Sequence, residues 1–206
     1  MELVYILIVA AIAYLIGSIS TGYLIVKIKT GQDIREVGSG STGATNVKRV
    51  LGKKWFFIVL LLDAIKGALP VVLAKVFLPE MYGIYAVVAA VMVIVGHSKP
   101  IFLQFKGGKS VASGVGTILA LNPMVGALIA VVWAIITYVS KYVSLGSLIA
   151  TLVVVILSII FYDKTASVLP QIILISAMGA IVILKHKDNI KRLIAGTESK
   201  IKGRGN

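Results

Sequence analysis

The sequence predicts an all-α integral membrane protein: a bundle of about seven transmembrane helices, two of them short, with its polar clusters at the cytoplasmic rim. Three observations predict it. Of the 206 residues, 58% are hydrophobic and only 14% charged, whereas soluble domains run at roughly 45–50% apolar and about 25% charged. The apolar residues fall into long runs, and a span needs about 20 of them. The basic residues are gathered between alternate runs, as the positive-inside rule requires.

Leu3 to Ile28 reads as the first span. Gly17, Ser18, Thr21 and Gly22 form small-residue pairs four apart, which let helices approach closely in lipid. Lys29 to Lys54 is a polar loop, and Trp55 to Leu78 the second span, opened by an aromatic interface anchor. Pro79-Glu80 is a short turn before the third span, Met81 to Gly96. Ser110 to Leu121 follows a basic loop and is short, at roughly 18 Å of helix. Asn122-Pro123 stops it. Met124 to Val139, Val143 to Tyr162 and Val168 to Leu184 are further apolar helices, separated by Ser140-Lys141 and Asp163-Lys164. The tail from Lys185 is basic. The stretch from Ser110 to Val139 reads as two thin spans or, as the fallback, a hairpin that dips in and returns. The second reading leaves five spans, and both put the two termini on opposite sides.

The end of span one with its loop, the loop after span three, the Lys141 turn and the tail hold 18 of the 21 Lys and Arg residues. The N-terminus is therefore expected outside and the C-terminus in the cytoplasm. Met1-Glu2 has no basic n-region, so the first run is expected to be retained as a span.

One polytopic domain over residues 1–206 is expected, with no room for a separate soluble one. The net charge of +13 is accounted for by cytoplasmic loops beside anionic lipid, so no nucleic acid is expected as partner. There is no cysteine, hence no thiol nucleophile or thiolate site. Two histidines without a carboxylate cluster argue against zinc. No metal, cofactor or obligate protein partner is expected.

Three polar clusters fall on the predicted cytoplasmic side. In the first, Gly38, Gly40 and Gly43 lie within six residues, a backbone suited to an anion nest. Ser39, Ser41, Thr42 and Thr45 add hydroxyls, Asn46 an amide, and Arg49 a bidentate fork for phosphate. A flexible linker also fits the glycines and serines, but not the Asn46/Arg49 pair. The second cluster runs from Gly96-His97 through Pro100 and Phe102 to Phe105-Lys106-Gly107-Gly108-Lys109-Ser110. Its glycines let backbone N–H groups approach a ligand, its lysines supply charge, and Ser110 is placed to cap the next helix. A basic turn between two spans fits the same residues. Gly108-Lys109-Ser110 resembles the end of a P-loop, but Leu103 stands where that motif needs glycine. The third cluster is His186, Asn189, Arg192 and Leu193, followed by Gly196-Thr197-Glu198. His186 and Asn189 share a helix face and can orient or deprotonate a hydroxyl. A basic tail on anionic headgroups explains its lysines but not that spacing. Inside span two, Asp63 and Lys66 sit three apart and can pair, as intramembrane charges must.

These motifs, with Asp63-Ala64-Ile65-Lys66-Gly67, resemble the bacterial acyl-phosphate:glycerol-3-phosphate acyltransferases, the PlsY family. The resemblance covers nearly the whole chain. It departs at Ser20, where the family usually has proline, and at Ser41, where it often has asparagine. It implies transfer of a fatty acyl group from acyl phosphate to the sn-1 hydroxyl of glycerol 3-phosphate. The products would be lysophosphatidic acid and phosphate, in the first step of bacterial phospholipid synthesis. The active site would lie on the cytoplasmic loops, in the inner membrane, with the Gly-Gly-Lys loop binding glycerol 3-phosphate. On that basis Arg49, Lys106, Gly107, Gly108 and Lys109 are expected to bind phosphate, and Ser39 and Asn46 to position the acyl phosphate. Gly40, Thr45, His97 and Arg192 are further expected substrate contacts. His186, held by Asn189, is expected to orient or accept the hydroxyl proton; the substrate's own phosphate is the alternative acceptor. Asp63, Lys66 and Glu198 are expected to be structural, with Glu198 pairing with a basic loop. The three clusters are expected to meet at the inner face. The rival class is a transporter of a small phosphorylated anion, which would place binding residues near the midplane of repeated halves. The sequence shows no such repeat.

Overall fold

The computed structural model describes residues 2–79, 82–160 and 168–201. Helix packing gathers the chain into two compact units, Met1–Leu121 and Asn122–Asn206. Among the described residues there is no strand.

The first unit contains α1 (Glu2–Ser18), α2 (Thr21–Thr30), α3 (Ala44–Leu51), α4 (Lys53–Phe77), α5 (Tyr82–Ser98) and α6 (Val111–Leu121). The expected first span is thus broken at Ile19-Ser20. Ser20 is extended, at φ −90° and ψ 96°, and interrupts the backbone ladder although no proline is present. Helix α3 is a second departure. Its eight residues lie in what reads as a loop, because a two-turn amphipathic helix is too short to stand out by periodicity.

Two close helix seams hold the unit together. On the α1–α5 seam, a Cβ on Gly17 would lie 2.3 Å from the Val93 carbonyl oxygen, and one on Gly96 2.3 Å from that of Tyr14. On the α4–α6 seam, a Cβ on Gly67 would meet Ser113 O at 2.1 Å, and one on Gly116 would meet Ala64 O at 1.9 Å. In lipid there is no hydrophobic drive between helices, so such backbone-to-backbone packing holds them instead. Gly17 and Gly22 were expected to serve packing; Gly22 also does, lying against the Thr42 backbone. Lys75 donates to the last carbonyls of α6, Ala120 O at 2.6 Å and Leu121 O at 3.2 Å, groups that a helix end leaves without intrahelical partners.

The second unit contains α7 (Pro123–Ser140), α8 (Val143–Ile160), α9 (Val168–Lys185) and α10 (Lys187–Ile194). Asn122 caps α7 by accepting from the Val125 N–H at 3.1 Å, with Pro123 at the first helical position. The expected Asp163-Lys164 turn lies outside the described residues, as does Glu80.

Among the described residues, four helical stretches are long and apolar enough to cross a membrane: Glu2–Thr30, Lys53–Phe77, Gly83–Leu103 and Pro123–Ser140. Val111–Leu121, Val143–Leu157 and Ile175–Lys185 are shorter apolar helices. The exposed faces are apolar, with Leu61, Ile65, Leu69, Val72 and Val76 along α4. Such a face suits lipid and not water. The chain is a multi-pass integral membrane protein.

Candidate active site

In the first unit, the loop from Gln32 to Gly43 is built around Asn46, the third residue of α3. Asn46 is buried, and its Oδ1 accepts from the Ser39 N–H at 2.8 Å. Its Nδ2 donates to the carbonyls of Ile34 (3.1 Å), Val37 (2.9 Å) and Ser41 (3.0 Å). This amide was expected to touch the acyl phosphate; the four bonds it makes shape the loop. Gly38 has φ +62°, and a Cβ there would lie 2.2 Å from Asn46 Oδ1. Only glycine fits that position. Ser39, Gly40 and Arg49 are exposed and Thr45 is half-buried. Arg49 makes no hydrogen bond or ion pair with the described residues, so its guanidinium is available to an anion.

Arg35 and Asp33 add a tie that the sequence did not single out. Arg35 grips Asp33 through Nε and Nη2, at 3.0 and 2.5 Å. Its Nη1 reaches across to the carbonyl of Leu103 at 3.1 Å. These bonds from Arg35 hold the Asp33 carboxyl below its usual range, although burial pushes the other way. The first and second polar clusters are thereby linked, as expected for two loops of one site. No spacing signal marks the pair, because an i,i+2 contact in a loop has no periodicity.

The second cluster folds tightly on the end of α5. A 3₁₀ turn at Ile101–Leu103 leads into Gln104 and Phe105, both left-handed at φ 53° and 61°. Non-glycine residues adopt that region at a cost, and such strain gathers at functional sites. The Gly108 N–H donates to the His97 carbonyl at 3.1 Å. A Cβ on Gly107 would stand 2.3 Å from that same oxygen, and one on Gly108 would stand 2.2 Å from His97 Nε2. The two glycines therefore permit close packing on His97, and the Gly108 N–H is not aimed at a ligand. Ser110, at φ 60°, sends its hydroxyl to the Ile94 carbonyl at 3.0 Å. It anchors the loop to α5, where the sequence predicted a cap for α6. Lys106 is exposed and Lys109 half-buried.

Beneath this loop lies a buried charged cluster. Lys66 directs its three donors to Asp63 Oδ1 (3.1 Å), the Ile19 carbonyl (2.7 Å) and His97 Nδ1 (3.0 Å). The Ile19 carbonyl lies at the break between α1 and α2. Asp63 also accepts from the Thr21 hydroxyl at 2.5 Å, and Ser113 Oγ lies 3.1 Å from His97 Nδ1. Asp63 and Lys66 do pair, as their spacing of three predicted. An ammonium can only donate, so Nδ1 of His97 accepts and the ring proton sits on Nε2, the edge that faces Gly108. At 7% exposure, His97 supports the loop; the direct substrate contact expected of it is not what this burial favours.

In the second unit, His186 Nδ1 lies 2.8 Å from the Val182 carbonyl. Nδ1 therefore carries the proton, and the basic lone pair is on Nε2. Glu198 accepts from Ser144 Oγ (2.8 Å), Asn189 Nδ2 (2.7 Å) and Arg192 Nε (2.7 Å). Burial pushes the Glu198 carboxyl up, but these three donors outweigh it and hold the group below its usual value. Glu198 was expected to pair with a basic loop; its cation is Arg192 of its own tail, joined by Ser144 at the start of α8. Arg192, expected on the substrate, meets Glu198 through Nε, and its side chain is 40% exposed. Asn189 is oriented by Glu198. Ser144 carries no sequence signal, since a serine at a helix start is common.

The family model described as glycerol-3-phosphate acyltransferase matches residues 7–196. A glycerol-3-phosphate acyltransferase of a Thermoanaerobacter species is 40% identical over 197 residues, covering 96% of each chain. One from a Nostoc species is 44% identical over 208 residues, covering 94% of this chain and 90% of its own. The crystal structure of PlsY, an integral membrane glycerol 3-phosphate acyltransferase, in its glycerol 3-phosphate form superposes with a TM-score of 0.87 at 36% identity, covering 96% of both chains. The lysophosphatidic acid form gives 0.84 at 33% identity.

Proposed function

The chain belongs to the glycerol-3-phosphate acyltransferase family, and from that premise we propose that it transfers a fatty acyl group from acyl phosphate to the sn-1 hydroxyl of glycerol 3-phosphate. The products are lysophosphatidic acid and inorganic phosphate, the first step of bacterial phospholipid synthesis. The observation that carries this reading is the likeness, over 96% of both chains, to PlsY in its glycerol 3-phosphate form.

Acyl phosphate is a mixed anhydride, and phosphate leaves readily. The glycerol hydroxyl can therefore attack the acyl carbon directly. A carbon–oxygen bond forms to glycerol, and the bond from carbon to the phosphate oxygen breaks. No nucleophilic side chain is needed, unlike in enzymes that pass through an acyl intermediate. The hydroxyl proton goes to Nε2 of His186 or to the departing phosphate. Both substrates are phosphate anions, and the two linked loops of the first unit offer them Arg49, Lys106 and Lys109. Arg49 can grip phosphate bidentately, with Ser39, Gly40 and Thr45 beside it. The Gly107–Lys109 segment serves glycerol 3-phosphate. Asn46 and His97 act by shaping these loops, and Asn189, Arg192 and Glu198 by holding the tail that carries His186. Residues 1–206 act as one catalytic domain, since a single family model runs through both units.

The charge distribution supports a bacterial inner-membrane protein with its N-terminus outside and its basic loops in the cytoplasm. The acyl chain then stays in lipid while the headgroups stay wet. The test is to incubate purified protein with palmitoyl phosphate and glycerol 3-phosphate and to look for lysophosphatidic acid by mass spectrometry. Uptake into sealed vesicles without product would refute the reading. His186→Ala separates the two proton acceptors: undiminished turnover assigns the proton to phosphate.

A further inference from the structure

We infer that the Asp63–Lys66–His97 cluster positions the Gly107–Lys109 loop, and so sets the affinity for glycerol 3-phosphate without touching it. The inference rests on the functional reading above, in which that loop holds this substrate.

Three observations converge on it. The ring of His97 is gripped from below, because Nδ1 accepts a hydrogen bond from Lys66, which Asp63 and the Ile19 carbonyl hold in place. The opposite edge of the ring is where the loop rests: the nearest atoms to a Cβ built on Gly108 are His97 Nε2, Cδ2 and Cε1, at 2.2, 3.0 and 3.2 Å. The backbone repeats the contact, with the Gly108 N–H on the His97 carbonyl and the Ser110 hydroxyl on Ile94 one turn earlier. The loop thus rests on the His97 imidazole beside these two bonds, and the imidazole is held at Nδ1 by Lys66, with Ser113 Oγ 3.1 Å from the same nitrogen. The break in the first span has the same logic, since it exposes the Ile19 carbonyl that takes another of the Lys66 protons. His97, Lys66 and Asp63 are positioning residues, acting on substrate only through Gly107–Lys109.

Two substitutions and their combination test this. His97→Asn keeps an acceptor near the Nδ1 position for Lys66, so no buried charge is orphaned, but it withdraws the edge that meets Gly108. Gly108→Ala drives a Cβ into the ring. Each alone should raise KM for glycerol 3-phosphate by roughly ten- to hundredfold, the range an ångström of misplacement produces. KM for palmitoyl phosphate should change by less than about twofold, as should kcat at saturating substrate. In the double variant the new methyl group occupies space the ring has left, so KM for glycerol 3-phosphate should fall below that of either single variant. The inference is overturned if His97→Asn leaves that KM unchanged, if the two penalties multiply in the double variant, or if kcat and both KM values worsen together with a lowered Tm. A wild-type protein that forms no lysophosphatidic acid overturns the functional reading, and this inference with it.

Discussion

Replacing Asn46 by alanine separates a ligand contact from a loop staple. The substitution orphans the Ser39 N–H and the carbonyls of Ile34, Val37 and Ser41. The bond to Ile34 is fully buried and the other three are partly so. A buried group left without a partner costs about 1–3 kcal/mol, and an ordinary hydrogen bond is worth about 0.5–1.5 kcal/mol net. Water can replace part of the three outer bonds, so the total is on the order of 3 kcal/mol. That cost falls on the ordered loop and not on the spans. At about 1.4 kcal/mol per factor of ten, kcat/KM should drop by roughly a hundredfold. The loss should appear with both substrates, because the loop carries Ser39 and presents Arg49. Asn46→Asp keeps the acceptor for Ser39 but faces three carbonyls with a carboxylate, so it should be no better. The assay is steady-state formation of lysophosphatidic acid in detergent, paired with a thermal melt. Wild-type kinetics in Asn46→Ala would refute the reasoning. So would a defect confined to acyl phosphate, which would return the amide to the role the sequence suggested.

Other perturbations test other parts. Lys66→Met strands the Asp63 carboxylate and should cost about 3–5 kcal/mol, while adding Asp63→Asn should recover most of the lost Tm. Gly116→Ala places a methyl 1.9 Å from the Ala64 carbonyl and should cost about 1–3 kcal/mol through overpacking, read as a lowered Tm. Arg49→Gln should leave Tm unchanged, since no partner among the described residues is lost, and should raise KM for a phosphate substrate. Glu198 is expected to make tail docking acid-sensitive. Its carboxyl is held below its usual value in the folded protein, so the folded state binds fewer protons there than the unfolded state. Its contribution is then complete above about pH 4.5, its ordinary value, and is lost as pH falls through the lowered one. Limited proteolysis of the tail against pH should show that loss, and Glu198→Gln should abolish the pH step.

The spans were legible because each is a run of apolar residues, and the ends of α4, α5, α7 and α9 fall within two residues of those read from hydropathy and caps. The break at Ile19-Ser20 was not legible, because no proline marks it and the Lys66 ammonium that takes the freed carbonyl lies far along the chain. Glycines were read correctly as residues of close approach, but sequence does not say what approaches. In the loop after α5 it is His97 and not a ligand. The same limit applies to Asn46 and Arg192, polar residues whose partners turned out to be the Gln32–Gly43 backbone and Glu198. Arg49, exposed and without a partner among the described residues, is open to the role its chemistry suggested.

The measurement that bears most directly on the whole account is the stoichiometry of phosphate release. Purified protein with palmitoyl phosphate and glycerol 3-phosphate should release one inorganic phosphate for each lysophosphatidic acid formed. Without glycerol 3-phosphate, release should not rise above the rate seen without protein, because the acceptor's own hydroxyl is the nucleophile. A burst of phosphate before the acceptor is added, or an acyl group left on the protein, would contradict direct transfer.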